Sequence, residues 1–229
     1  MENFFDLYNF TFQKINDIYQ DDIPRKLRLF NIRFRLALDI EIKFKGDITL
    51  TKTKEVRDTY ILIIKLLEIW NSYEAFIHYL NELNCYIIKN QAVYKKISKK
   101  ILESANVLFW LKNATNQIKD ECKENNNFKN DFSKYIERIK NDENLRDNLK
   151  VSCSNILNIF DKSEEISGQE LIALIYAERN MYYHNGETAK MGMSYANRKK
   201  ILTIYIETLK NYLLNLANWI LEKEIDRNK

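Results

Sequence analysis

The stretch Tyr60-Ile61-Leu62-Ile63-Ile64-Lys65-Leu66-Leu67-Glu68-Ile69-Trp70-Asn71-Ser72-Tyr73-Glu74-Ala75-Phe76-Ile77-His78-Tyr79-Leu80 decides the fold class. Tyr60, Ile63, Ile64, Leu67, Trp70, Tyr73, Ile77 and Leu80 recur at steps of three and four, the spacing that lines one face of a helix. The spacing predicts a helix across residues 54–89. Lys65 and Glu68 interrupt the most apolar part, which is also too short to span a bilayer.

Composition agrees with a helical chain. Among 229 residues there are 4 Gly and 1 Pro, too few to turn the many corners of a sandwich or barrel. Hydrophobic residues make up 45% and charged residues 30%, enough for a packed core. An all-α fold is expected. The formal net charge is +4, from 36 Lys+Arg against 32 Asp+Glu, which permits a nucleic-acid partner without requiring one. Cys85, Cys122 and Cys153 form no CxxC pair and no metal-ligand spacing, so free thiols in a reducing cytoplasm are expected. The start, Met1-Glu2-Asn3-Phe4-Phe5-Asp6, carries two acids and no basic stretch, unlike a signal peptide. A soluble cytoplasmic protein with no membrane partner is expected.

Upstream of the opening stretch, Phe4, Phe5, Tyr8, Phe12, Ile15 and Tyr19 suit an amphipathic helix over 2–20. From Phe30 to Phe44 the apolar residues alternate, and Gly46-Asp47 follows, a local hairpin signal. A strand that long is unusual in a small domain. The expectation is a helix through about Leu38 and at most a small β-hairpin near 40–51. Downstream, 91–119 reads as one further helix. Residues 120–165 are rich in Asn, Lys, Asp and Glu, and read as a loop, a polar helix near 130–149 and a short helix near 150–160. This stretch is the best candidate for an insertion or lid, against the plainer reading of a solvated surface helix. The expected organisation is an N-terminal helical extension over 1–53 and a helical domain over 54–229 with a polar insertion at about 120–165.

The last third is punctuated clearly. Ser167 and Glu170 form a capping box opening a helix through Leu171, Leu174, Ile175 and Met181, and Asn185-Gly186 supplies a left-handed stop. After Met191-Gly192-Met193, a final long helix begins near Asn197, with Ile201, Tyr205, Leu209, Tyr212, Leu216 and Ile220 on one stripe.

Chemistry concentrates in Glu178-Arg179-Asn180-Met181-Tyr182-Tyr183-His184-Asn185-Gly186-Glu187. At roughly 100° per residue, Asn180 and His184 lie about 40° apart and one turn removed, while Arg179 is about 140° from His184 with a long side chain that can curl back. One patch thus presents a titratable imidazole, a fixed cation and an orienting amide. The carbonyls exposed at a helix C-terminus favour the imidazolium by about 0.3–1 kcal/mol, which suits an acid–base group. RNA cleavage needs a base for the 2′-OH, an acid for the 5′-oxygen and a cation for the phosphorane. Two copies of His184 across a twofold axis would supply both acid and base, so a homodimer belongs to the expected mechanism. A plain alternative is a surface ion-pair patch of Arg179 and His184 with Glu178 and Glu187.

The segment resembles the RN-x-x-x-H form of the R-x(4–6)-H motif of HEPN domains, placed at the end of a penultimate helix ahead of one long closing helix. Glu68-Ile69-Trp70-Asn71-Ser72-Tyr73-Glu74-Ala75-Phe76 resembles, more loosely, an early core helix of the same domains. The resemblance covers residues 54–222. It implies a helical bundle that dimerises through the motif and a metal-independent endoribonuclease without cofactor, leaving 2′,3′-cyclic phosphate ends. Such enzymes serve in toxin–antitoxin, abortive-infection and CRISPR-linked defence, where an antitoxin or regulatory protein is a partner. Some members are silent modules that bind RNA or protein. On this resemblance Arg179 and His184 are catalytic, and Asn180 positions the scissile phosphate or holds His184. One departure is that Gly186 stands two residues after the His, where nucleotidyltransferase-paired toxins carry a modifiable Tyr.

Other residues carry weaker signals. Tyr182 and Tyr183 offer rings for base stacking, one of them more suited to the core. Lys95, Lys96, Lys99 and Lys100 read as a basic helical face able to track RNA phosphates, and Arg25, Lys26, Arg28, Arg33 and Arg35 as a second basic region. Solvated charge is the default for both. His78 follows Glu74 by four residues, an ordinary helix contact. Glu74 itself could approach the motif from a neighbouring helix. A Ser/Asp/His triad, HExxH, Walker A and GxGxxG are absent.

Overall fold

A computed structural model describes residues 2–20, 22–44, 53–162, 168–185 and 190–228, with the side chains of 2–4, 53, 158–162, 168, 184 and 185 outside the described set. Among the described residues the chain is all-α, with nine α-helices, one 3-10 turn and no strand. The helices are α1 (Glu2–Tyr19), α2 (Arg25–Asp39), α3 (Thr53–Leu83), α4 (Lys99–Ser104), α5 (Leu108–Glu124), α6 (Asn126–Lys140), α7 (Asp147–Lys162), α8 (Gly168–Asn185) and α9 (Tyr195–Arg227). None is long and apolar enough to cross a membrane.

The centre is built by α3 and α9, the two longest helices. Trp70, Tyr73, Phe76 and Tyr79 of α3 and Ile201, Tyr205, Leu209, Tyr212 and Leu216 of α9 are buried in one cluster. Helix α2 packs on α3, α1 and α5 pack on α9, and α7 and α8 pack on one another, with α6 beside α5 and α7.

Helix α2 explains the alternating stretch. Leu27, Phe30, Phe34 and Ala37, at steps of three and four, are its buried residues, while Leu29, Ile32 and Leu36 stand exposed. The helical subset finds partners in Phe76 of α3 and Tyr8 of α1, with ring centroids at 4.6 Å and 6.3 Å from Phe30. No strand forms over 40–44, and the remainder of the expected hairpin lies outside the described residues.

Two segments depart from the sequence reading. The single helix expected over 91–119 is a 3-10 turn at Val93–Lys95 followed by α4 and α5. Asn106 takes a left-handed φ of 53° between α4 and α5, and Ile97, two residues past the 3-10 turn, is held by an isolated antiparallel bridge to Ile87. Neither break carries Gly or Pro. The loop expected after residue 120 is absent, because α5 runs on to Glu124 and Asn125 caps α6, its side chain accepting from the Phe128 N–H at 3.1 Å. Helix α6 then buries Phe128, Phe132, Tyr135, Ile136 and Ile139. The asparagine run starts a core helix.

Ser194 caps α9 by accepting from the Asn197 N–H at 3.3 Å, so this helix opens at Tyr195, two residues before the expected start. The capping box residue Ser167 and the stop residue Gly186 lie outside the described residues.

Candidate functional site

Helix α8 is apolar on most of its circumference. Leu171, Ile172, Leu174, Ile175, Ala177 and Met181 are buried, leaving Tyr176, Arg179, Asn180, Tyr182 and Tyr183 on the less buried face. Arg179 and Asn180 therefore sit together near the helix end. The Arg179 guanidinium donates to Asn180 Oδ1 at 3.0 Å, and its Nη2 lies 3.9 Å from Glu74 Oε2 on α3. Glu74 Oε1 accepts from the Trp70 indole N–H at 2.8 Å, so the carboxylate links a core tryptophan to the motif arginine. The Tyr183 ring lies 4.8 Å from the guanidinium carbon, a cation–π contact on its exposed side. Glu74 thus does approach the motif, and it does so while hydrogen-bonded. His78, one turn on, is exposed.

His184 follows Asn180 by one turn in the same i,i+4 row of α8. Its side chain, and all of Glu187, lie outside the described residues. The two motif tyrosines divide between core and surface. Tyr182 is half-buried against the core, 6.2 Å ring to ring from Tyr60, and Tyr183 is 56% exposed.

Beside Asn180 lies a cavity of about 290 Å³. Asn180 and Tyr176 of α8 form one side, Tyr94 of the 3-10 turn another, and Asn144, Arg146 and Asn148 at the start of α7 the third. The motif helix, the 92–94 turn and the polar stretch near 145 are thereby brought to one place.

The four lysines are not one helical face. Lys95 ends the 3-10 turn, Lys96 follows it, and Lys99 and Lys100 begin α4 beyond buried Ile97. Lys95 Nζ lies 5.6 Å from the ring of Tyr94, a cavity residue, while Lys99 lies 3.8 Å from Glu103. Of the second basic region, Lys26 pairs with Glu82 at 3.1 Å and Arg35 donates to Asn9 at 2.7 Å.

Sequence reasoning missed a buried network directly behind the motif. Glu178, which the plain alternative made a surface partner of Arg179, is 1% exposed and pairs with the fully buried Arg198 of α9. Arg198 Nη1 donates to Glu178 Oε2 at 2.9 Å, Nη2 to Oε1, and Tyr135 of α6 adds its hydroxyl at 2.8 Å. The sulfur of Met191, itself buried, accepts from Arg198 Nη2 at 3.1 Å. Burial alone would lower the Arg198 pKa, but the Glu178 carboxylate outweighs it and the net direction is upward. Burial drives the hydroxyls of Tyr135 and Tyr205 well above the usual tyrosine range. The signal was present: Glu178 lies four residues from Leu174 and Arg198 three before Ile201, both on core stripes. Opposite charges on the core stripes of two helices predict a pair.

A second polar tie fixes the start of α9. Asp131 Oδ2 accepts from the Ser194 N–H at 2.9 Å and the Asn197 carboxamide at 2.8 Å. Partial burial would raise its carboxyl, but these hydrogen bonds prevail and hold it below its ordinary value. Among the described residues no three His, Cys, Asp or Glu side chains converge as a metal-ligand set. Chemically, the arrangement offers a partly exposed guanidinium held between Glu74 and Asn180, and a carboxamide that lines a polar-rimmed cavity. No protein-family model, curated protein or solved structure matches the chain.

Proposed function

We propose that the chain is one subunit of a homodimeric, HEPN-type endoribonuclease that cuts RNA without metal. The observation that carries this reading is the hydrogen-bonded Arg179–Asn180 pair at the end of α8, with His184 one turn on and a cavity against Asn180. The cation is held in place before substrate arrives, which is what electrostatic stabilisation of a phosphorane requires. In the proposed reaction one His184 takes the 2′-OH proton as the 2′-oxygen attacks phosphorus. The His184 of the second subunit gives a proton to the departing 5′-oxygen as the P–O5′ bond breaks. The products are a 2′,3′-cyclic phosphate and a 5′-hydroxyl. Arg179 faces the equatorial oxygens and Asn180 orients the phosphate. The resemblance would make such an enzyme a cytoplasmic toxin or defence effector, restrained by an antitoxin or regulatory protein.

The test is incubation of the protein with structured and unstructured RNAs, wild type against His184→Ala, followed by analysis of the ends. Cleavage that is lost in the variant and indifferent to EDTA is expected. Cleavage that survives the substitution, or needs a divalent ion, refutes the mechanism. One observation favours a second reading, a catalytically silent module that binds RNA or protein. Arg179 already faces Glu74 at 3.9 Å and Asn180 at 3.0 Å, as a structural arginine would. RNA binding without strand breaks at high protein concentration distinguishes it.

A further inference from the structure

From the cavity beside Asn180 we infer that the protein holds one unstacked nucleobase of a single-stranded RNA, adjacent to the phosphate offered to the motif. This rests on the reading of the chain as an RNA-acting protein and adds to it the class of RNA and a source of base preference. Size is the first argument. At about 290 Å³ the cavity sits just below the roughly 300–1,000 Å³ range of small-molecule sites, a size suited to a single base rather than a larger ligand.

The lining is the second. Leu145 and Leu149 are buried, and the rings of Tyr94 and Tyr176 pack together at 5.7 Å, which gives an apolar wall for a flat heterocycle. Around that wall stand the carboxamides of Asn144, Asn148 and Asn180. A carboxamide donates and accepts side by side, the pattern that pairs with a base edge. A base inside a duplex cannot present that edge to a recessed pocket, so the strand must be single or locally opened.

Position is the third. The oxygen of Asn180 is held by Arg179 at 3.0 Å, so the residue that closes one side of the cavity also touches the motif cation. A base seated there leaves its own sugar and phosphate at the end of α8. Asn144 and Asn148, by contrast, come from the start of α7 and its preceding turn. Base recognition and bond cleavage are therefore separable by mutation.

The experiment uses the full chain carrying His184→Ala, so that RNA stays intact. Short fluorescent single strands of A, C, G or U, and matching strands with one abasic site, are titrated by anisotropy. At least one base should bind about tenfold more tightly than its abasic counterpart, the size of one base contact. Asn144→Ala with Asn148→Ala should abolish that difference and leave affinity for the abasic strand unchanged, with Tm unaltered because both side chains are exposed. Equal affinity for intact and abasic strands overturns the inference, as does a difference that persists in the double variant. Wild-type protein is assayed for cleavage in parallel. Base-dependent binding without cleavage would sink the ribonuclease reading and leave the pocket standing.

Discussion

Replacing Arg198 by Met should be among the most damaging single changes in this protein. Arg198 is fully buried and, among the described residues, supplies two of the three hydrogen bonds to the Glu178 carboxylate, the third coming from Tyr135. Each charge-assisted bond is worth roughly 1.5–3 kcal/mol, and a buried carboxylate left without its cation costs about 3–5 kcal/mol. For a chain of this size 1 kcal/mol moves Tm by about 2–4 °C, so a fall of roughly 6–20 °C is expected. Denaturant and thermal unfolding of Arg198→Met read this directly. The triple variant Arg198→Met, Glu178→Leu, Tyr135→Phe removes the guanidinium, the carboxylate and the hydroxyl bonded to it at once and should recover at least half the loss, since apolar replacement of a buried pair is often close to neutral. A drop under about 2 °C for the single change, or a triple variant no more stable than the single, refutes the description of this pair as the polar tie between α6, α8 and α9.

Thiol labelling of the native protein at pH 8 should mark Cys85 alone. Cys85 is exposed, whereas burial pushes the thiols of Cys122 and Cys153 up to about 11 and about 12. Rapid native labelling of either buried cysteine contradicts this. Because the Asp131 carboxyl is held below its ordinary value, its tie to α9 stabilises the fold above the ordinary carboxylate range and weakens as pH falls through its own lower pKa. Asp131→Ala should therefore lose about 1 kcal/mol at neutral pH and progressively less as the pH is lowered below the ordinary carboxylate range, as urea unfolding across that range would show. Glu74→Ala should cost about 1–3 kcal/mol by orphaning the Trp70 N–H, and Glu74→Gln, which keeps an acceptor, clearly less. Equal losses in chemical unfolding would argue against that hydrogen bond.

Much of the bundle was legible because burial and periodicity coincide along α3, α8 and α9. Where they diverge, reading from sequence faltered. In α2 two periods coexist, and only contact with Phe76 and Tyr8 shows which apolar residues go inside. In α6, polar neighbours hide the spacing of Phe128, Phe132, Tyr135 and Ile139, and Asn125 looks like loop while acting as a cap. The breaks around α4 turn on residues such as Asn106 in a conformation that Gly usually marks, so composition gave no warning. At the site, the adjacency of Arg179 and Asn180 was visible as helix geometry. The arrival of Glu74 and the start of α7 was not, since long-range packing brings them there. The alternative that put Glu178 on the surface fails because a charge on an apolar stripe reads as surface until its partner on the next helix is recognised.

The central claim is that two copies of the motif build one catalytic centre, and subunit mixing tests it most directly. Wild-type and His184→Ala chains are co-assembled at varied ratios, and RNA cleavage is measured against the fraction of wild-type subunits. If each centre needs an imidazole from both chains, activity will follow the square of that fraction. A linear dependence, or no cleavage at any ratio, would contradict the account.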